Sequence, residues 1–249
     1  MKDNTAALAI QVKSLRKCFG KQVVLNAIDL EVAQGETLAV LGRSGTGKSV
    51  LLKLIVGLQQ PDAGSICIHG QEVAGIALER LNEIRLKIGF LFQSAALYDS
   101  MTVGENVAFP LKRHSKMSDT SRRQQVKKLL SSVGMEKDFD KMPAQISGGM
   151  KKRVGLARAL ALSPDILLFD EPTTGLDPIT AGEISELILG LQKEQKMASI
   201  IVTHDVQVAR ALSDRLALMC DGNILIEGTF DQLHKSHNKF VTRFLQPTL

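Results

Sequence analysis

The sequence predicts an α/β fold: a mostly parallel sheet covered by helices, with a small antiparallel β-subdomain ahead of it and a helical lobe inserted into it. Three observations predict this. Apolar runs of strand length alternate with helical patterns late in the chain, at 166–169, 199–202, 216–219 and 224–226. Such uninterrupted runs belong to strands buried on both faces, and their alternation with helices marks parallel strands joined by crossovers. Between 94 and 161 strand signals stop and helical periodicity takes over, notably at 121–133 and 150–162. Residues 7–32 instead alternate apolar with polar, which is the period of half-buried antiparallel strands.

In that first stretch Leu8, Ile10 and Val12, then residues 23–25, then Ile28, Leu30 and Val32 are the inward positions, and Gly20-Lys21 is the turn. The run 37–41 then empties into Gly42-Arg43-Ser44-Gly45-Thr46-Gly47-Lys48-Ser49, and a helical pattern covers 50–58. This is the G-x-x-x-x-G-K-[ST] spacing between a strand and a helix, the phosphate loop of an NTPase. Glycines let backbone N–H groups crowd a polyphosphate, and the helix that follows aims its positive end at the same anion. Gly42, Ser44, Gly45, Thr46, Gly47, Lys48, Ser49 and Val50 are the candidate contacts. Lys48 is expected to reach the β- and γ-phosphates, and the Ser49 hydroxyl to ligate Mg²⁺. A turn at 61–64 leads to a short strand at 65–68 and a turn at 69–70, followed by a helix over 78–86 and a buried strand over 88–92. After the lobe, helices are predicted at 179–195 and 206–212, and an amphipathic piece (Phe240, Val241, Phe244, Leu245) comes last.

At 249 residues the chain can form one domain, with 1–93 and 162–236 as a nucleotide-binding core, 94–161 as the helical lobe and 237–249 as a tail. Cys18, Cys67 and Cys220 are scattered, without C-x-x-C pairs or nearby His, so neither a disulfide framework nor a zinc site is expected and a reducing cytosol fits. No run reaches the roughly 18 to 20 apolar residues that span a bilayer, and Met1-Lys2-Asp3-Asn4-Thr5 has no signal-peptide core, so a soluble or peripheral protein is expected. The net charge of +5 is uneven: between Lys112 and Arg153 there are twelve Lys and Arg against four Asp and Glu. Such a lobe suits nucleic acid, anionic headgroups or simply a solvated helical surface. Almost no aromatic residues interleave there for base stacking.

In parallel sheets ligands bind beyond the carboxyl ends of strands, so the residues after each apolar run matter. Asp170 and Glu171 follow 166–169, Gln93 follows 88–92, and His204 comes just after 199–202. Asp170 is a candidate Mg²⁺ ligand, and Glu171 the candidate that polarises the attacking water. Helix N-capping is the competing explanation for this acidic pair. His204 is a candidate γ-phosphate contact and Gln93 a candidate Mg²⁺ ligand or water-positioning group, though either can be structural. Phe19 can stack on adenine or pack in the core. Ser147-Gly148-Gly149 opens a helix with a good N-cap and a second anion-binding N-terminus.

Gly42 to Ser49, Gln93, Ser147-Gly148-Gly149, Asp170-Glu171, Thr174-Gly175-Leu176-Asp177 and His204, in this order, resemble the nucleotide-binding subunit of ATP-binding-cassette transporters over essentially the whole chain. That resemblance implies a head-to-tail dimer sandwiching two ATP molecules. It further implies that Ser147, Gly148 and Gly149 bind the γ-phosphate across the dimer, that Asp177 links the two sites, and that Phe19 is the adenine platform. Met150 replaces the family's usual glutamine and Thr174-Gly175 its common serine-alanine; neither change removes a group that the chemistry needs. The stretches 91–103, 105–111 and 148–153 are similar to the ATPase of Mla-type lipid transporters that serve MCE-class proteins. This implies an ATPase on the cytoplasmic face of the inner membrane, docked on a permease through a groove formed partly by 91–103. It also implies that the tail, Lys239 to Leu249, packs on a partner subunit. Two readings compete. One is a transporter ATPase for amino acids or lipoproteins. The other is a DNA-associated ATPase, which the lack of a long coiled coil or zinc module disfavours, so no nucleic acid partner is expected.

Overall fold

In this computed structural model, which describes residues 7–245, the chain divides into two units: residues up to Ile84 with those from Lys196 onward, and Arg85–Gln195. Residues 1–6 and the last four of the tail, and with them the expectations placed there, lie outside the described residues. In chain order the strands are β1 (Leu8–Phe19), β2 (Gln22–Ala33), β3 (Thr37–Leu41), β4 (Ala63–Ile68), β5 (Gln71–Glu72), β6 (Ile88–Leu91), β7 (Ile166–Asp170), β8 (Ala198–Thr203), β9 (Arg215–Cys220) and β10 (Asn223–Gly228). The α-helices are α1 (Lys48–Ile55), α2 (Leu78–Arg85), α3 (Val103–His114), α4 (Asp119–Ser132), α5 (Gly148–Ala159), α6 (Pro178–Gln195), α7 (Val206–Leu212), α8 (Phe230–His234) and α9 (Lys239–Leu245).

In the first unit, β1 and β2 pair antiparallel across the Gly20-Lys21 turn, and β4 and β5 complete a sheet of order β2-β1-β4-β5. A second sheet region of this unit has the order β10-β9-β3-β8. There β3 runs parallel to both β8 and β9, and β10 is antiparallel to β9. Every residue of β3 and β8 is buried, as their unbroken apolar runs require. α1 begins two residues earlier than the periodicity suggested, because Gly47 ends the loop and Lys48 is already helical. It also closes earlier, with Gly57 N donating to Leu54 O (2.9 Å) and Leu58 N to Lys53 O (2.8 Å), a paired C-terminal closure. α8 and α9 bury Leu233, Val241 and Leu245 against Ala39, Leu41, Leu216 and Leu218. The described part of the tail thus packs Val241 and Leu245 on its own chain, with Phe240 and Phe244 partly covered.

The second unit pairs β6 with β7 in parallel and surrounds them with α3 to α6. The local starts are readable: Thr102 and Glu105 form a capping box on α3, Ser118 caps α4 and Ser147 caps α5. β7 is fully buried, but β6 is not the buried strand expected: Gly89 and Leu91 are inside, while Ile88 and Phe90 are only partly covered. The Phe90 ring stacks on Phe92 at 4.2 Å along that open face.

Candidate functional site

The site residues lie at strand ends in both units. In the first unit Leu41 pairs with Thr203, so the 42–49 loop and His204 leave the same end of two parallel strands. Gly47 has φ +99°, and a Cβ there would meet Val24 O and Leu25 Cδ2 at 2.9 Å, so only glycine lets the loop lie this close to β2. The first turn of α1 presents the main-chain N–H groups of Lys48, Ser49 and Val50 at the helix's positive end. Lys48 is 5% exposed, and its Nζ donates to Gly42 O at 2.8 Å and Arg43 O at 3.0 Å, bracing the loop from beneath. Thr46 Oγ1 donates to Arg43 O at 2.9 Å, while Ser44 and Gly45 face outward. Val23, Val24, Arg43, Ser44, Thr46 and Gly222 line a cavity of about 390 Å³ against the loop.

Phe19 ends β1 and is 45% exposed, so core packing does not account for it. The Asp62 carboxylate accepts from Cys18 N at 2.6 Å and from Lys17 Nζ at 3.0 Å, and the Lys17 ammonium lies 5.5 Å from the Phe19 ring. The Cys18 amide and the Lys17 ammonium hold the Asp62 carboxyl below its usual range. His204 is exposed at the end of β8, and Asp205 beside it caps α7.

In the second unit Leu91 pairs with Phe169, so Gln93, which is exposed, and the Asp170-Glu171 pair follow adjacent parallel strands. Asp170 and Glu171 are both buried. Capping does not explain them. The cap of α6 is Asp177, which accepts from Ile179 N (3.1 Å), Thr180 N (3.0 Å) and Thr180 Oγ1 (2.6 Å), and these bonds, the Thr180 hydroxyl first, lower its carboxyl's pKa. Glu171 has φ +49°, a left-handed conformation that costs a non-glycine residue about 1–3 kcal/mol and is retained where surrounding bonds impose it. Two bonds do so here: Thr174 Oγ1 donates to Glu171 Oε2 at 2.9 Å, and Lys152 Nζ donates to Glu171 O at 3.0 Å.

Lys152 is the residue that reading the sequence missed. Taken there as part of a charged cluster, it is 5% exposed inside the unit. Burial pushes its ammonium down to about 8, against the opposing pull of Asp170 and Glu171. The signal was the helical spacing of Gly149, Lys152 and Leu156, all buried, whereas Met150 is only half-covered. The rest of the basic lobe is also partly committed. Arg153 binds Glu183 at 2.8 Å and Val133 O at 3.2 Å, Arg122 binds Asp119 at 2.7 Å, and the Arg123 guanidinium lies 4.6 Å from the Phe139 ring. Ser147 and Gly148 are exposed at the start of α5, with Ser147 Oγ accepting from Met150 N at 3.2 Å. A Cβ on Gly149 would run into Thr180, which keeps that position small.

Among the described residues no group of three or more His, Cys, Asp or Glu could hold a metal by itself, and no helix is long and apolar enough to cross a membrane. The first unit thus supplies a glycine-rich anion cradle with the Ser49 hydroxyl, suited to polyphosphate, and the second a buried pair of carboxylates, the donor type that suits a hard cation.

The pattern of the ABC transporter family matches residues 25–174. The chain is 40% identical over 237 residues to the Haemophilus influenzae protein described as intermembrane phospholipid transport system ATP-binding protein MlaF, covering 95% of this chain and 90% of that one. It is 41% identical over 238 residues to a Mycobacterium leprae protein described as a probable ribonucleotide transport ATP-binding protein, covering 96% of this chain and 69% of that one. Among solved structures, a dimeric ATP-binding cassette in a post-hydrolysis state with ADP and phosphate superposes with a TM-score of 0.82 at 34% identity, over 88% of this chain and 98% of that one. With its phosphate loop, its buried acidic turn and a family match across more than half its length, the chain belongs to the ABC transporter family and is an ATPase coupled to transport.

Proposed function

We propose that the chain is the ATP-hydrolysing motor of a transporter that moves phospholipid between the inner and outer membranes of a bacterium, working from the cytoplasmic face of the inner membrane with a permease and an MCE-type lipid-binding protein. The observation that carries this is the near full-length 40% identity to the Haemophilus phospholipid-transport protein. The sequence similarity of 91–103, 105–111 and 148–153 to Mla-type ATPases points the same way. The name of the Mycobacterium relative keeps a different cargo as the alternative.

In this reading two copies close head to tail on two ATP molecules, as the dimeric form of the solved cassette supports. The cradle from Gly42 to Val50 takes the phosphates, with Lys48 compensating their charge, and Phe19 stacks on adenine. Ser147, Gly148 and Gly149 reach the γ-phosphate of the partner copy, and Asp177 links the two sites. Glu171, buried and held at main chain and carboxylate, orients the attacking water. His204 contacts the γ-phosphate. Ser49, Asp170 and Gln93 are the residues whose oxygens would hold Mg²⁺, which would supply neutralisation of charge on the transferring phosphoryl group. The permease docks in the second unit, where Phe90, Phe92, Tyr98, Phe109, Pro110 and Arg158 line a groove of about 480 Å³. Tyr98 and Phe109 pack at 4.9 Å there, and the buried Asn106 pins the turn before them, accepting from Tyr98 N (2.8 Å) and donating to Met101 O and Thr102 O (both 3.0 Å).

Affinity purification of the tagged chain from detergent-solubilised membranes, followed by identification of co-purifying proteins and lipids, tests the assignment. Recovery of a permease, an MCE-type protein and phospholipid is expected; recovery of an amino-acid permease, or of no membrane protein, overturns the cargo.

A further inference from the structure

α5 does two things at once. Its first turn, starting at Ser147, is the turn assigned to the partner's nucleotide, and one turn further along the same helix sends Lys152 into the interior beside the end of β7. An ammonium buried this deeply is costly unless it is bonded and faces negative charge. Lys152 faces Asp170 and Glu171, and its Nζ bonds the Glu171 main-chain oxygen at 3.0 Å. That bond falls on the residue with φ +49°, while Thr174 Oγ1 holds the same residue's Oε2 at 2.9 Å. The direction of the carboxylate is thus set from two sides, one of them the helix that begins with Ser147 to Gly149.

We propose that Lys152 is a positioning residue for ATP hydrolysis: its ammonium, carried on α5, holds the main chain of Glu171 so that the carboxylate keeps its aim, and so ties the Ser147–Gly149 turn to the hydrolytic residue of the same chain. Movement of that turn onto a nucleotide is then passed along a rigid helix to Glu171. The inference rests on Glu171 being the residue that orients water. Closing the turn and aiming the carboxylate become one event.

The test is steady-state ATPase kinetics and nucleotide binding of the full chain, comparing wild type with Lys152→Met, Lys152→Arg and Glu171→Gln. Lys152→Met keeps the length and removes the donor, while Lys152→Arg keeps a cationic donor. Loss of the aim should lower kcat about tenfold to a hundredfold, less than removal of the base, which costs about 10² to 10⁴. KM and ATP affinity should stay near wild type, and Lys152→Arg should recover most of the rate. If Glu171→Gln loses turnover while Lys152→Met keeps it, the role of Lys152 is wrong. A Lys152→Met protein whose kcat falls together with its melting temperature, and which Lys152→Arg does not rescue, shows a merely structural lysine and overturns the proposal as well. Wild-type turnover in Glu171→Gln sinks the underlying reading of Glu171 instead. Should Lys152→Met not fold, Lys152→Gln is measured in its place: its amide is shorter and uncharged, so a kcat below that of Lys152→Arg at unchanged ATP affinity is expected, and wild-type turnover overturns the proposal.

Discussion

Replacing Arg158 with methionine should loosen the loop that follows Gln93, and the structure sets the size of the effect. Ala95 and Ala96 are consecutive left-handed residues, with φ +61° and +46°. Alanine holds that conformation only under constraint, and the constraint is visible: Arg158 Nη2 donates to Ala95 O and Nη1 to Ala96 O, both at 2.7 Å. Two bonds from a charged donor contribute about 1.5–3 kcal/mol each. Against this, burial already disfavours the guanidinium, lowering its pKa, and Ala96, exposed on the groove, can offer its released carbonyl to water. A net loss of about 2–3 kcal/mol remains. At about 2–4 °C per kcal/mol for a chain of this size, Arg158→Met should melt about 4 to 12 °C lower in calorimetry or circular dichroism. A second substitution checks the cause. Ala96→Gly, at an exposed position, accepts a left-handed backbone and should recover roughly 1 kcal/mol in the Arg158→Met background. An Arg158→Met protein that melts with wild type, or an Ala96→Gly change that adds further destabilisation, would refute the claim that the guanidinium holds this turn.

Lys48→Ala should abolish nucleotide binding measured by fluorescence or calorimetry, since it removes both the phosphate's cation and the two bonds that brace Gly42 O and Arg43 O; tight retention of ATP would count against the phosphate-loop assignment. Phe19→Ala should weaken ATP binding by about tenfold, the scale of a base-stacking contact of about 1–3 kcal/mol, with no change in melting temperature because the ring is exposed; an unchanged affinity removes Phe19 from the site. Lys152 gives a pH signature. Its folded-state value of about 8 lies below that of the unfolded chain, so between about 8 and 10.5 the unfolded state binds the extra proton and stability rises with pH. That contribution is complete above 10.5 and is lost as pH falls through 8. Lys152→Met should remove it, so the wild-type-minus-variant stability difference should climb across this window by up to about 1.4 kcal/mol per pH unit; equal slopes would contradict the buried ammonium.

What could be read from the sequence was local. The 42–49 loop is legible because its spacing and its flanking strand and helix are all within twenty residues, and the N-cap at Ser147 is legible because Ser satisfies the N–H groups just after it, whereas the caps at Thr102 and Ser118 emerged only with the structure. Strand identity followed from unbroken apolar runs in β3, β7 and β8. Residues whose role depends on a distant partner were not legible. Lys152 reads as one of three adjacent cations until Glu171, nineteen positions on, is seen to accept its bond. Arg158 reads as a surface arginine until the carbonyls of Ala95 and Ala96 come within reach. β6 reads as buried because its residues are apolar, yet the stacked Phe90 and Phe92 line an open groove. Apolarity records the wish to be covered and leaves the covering partner unnamed. The tail shows the same ambiguity, its amphipathic face being covered in part, at Val241 and Leu245, by Leu233 and the strands of its own chain.

The central claim is that Gly42 to Ser49 is half a site, completed by Ser147 to Gly149 of a second copy before Glu171 acts. Sedimentation velocity of Glu171→Gln with and without MgATP, alongside wild-type ATPase activity across protein concentration, tests it directly. The account predicts a monomer that becomes a dimer when ATP is added, and a specific activity that rises with concentration until dimers saturate. A protein that stays monomeric with ATP while hydrolysing it at full, concentration-independent specific activity would contradict it.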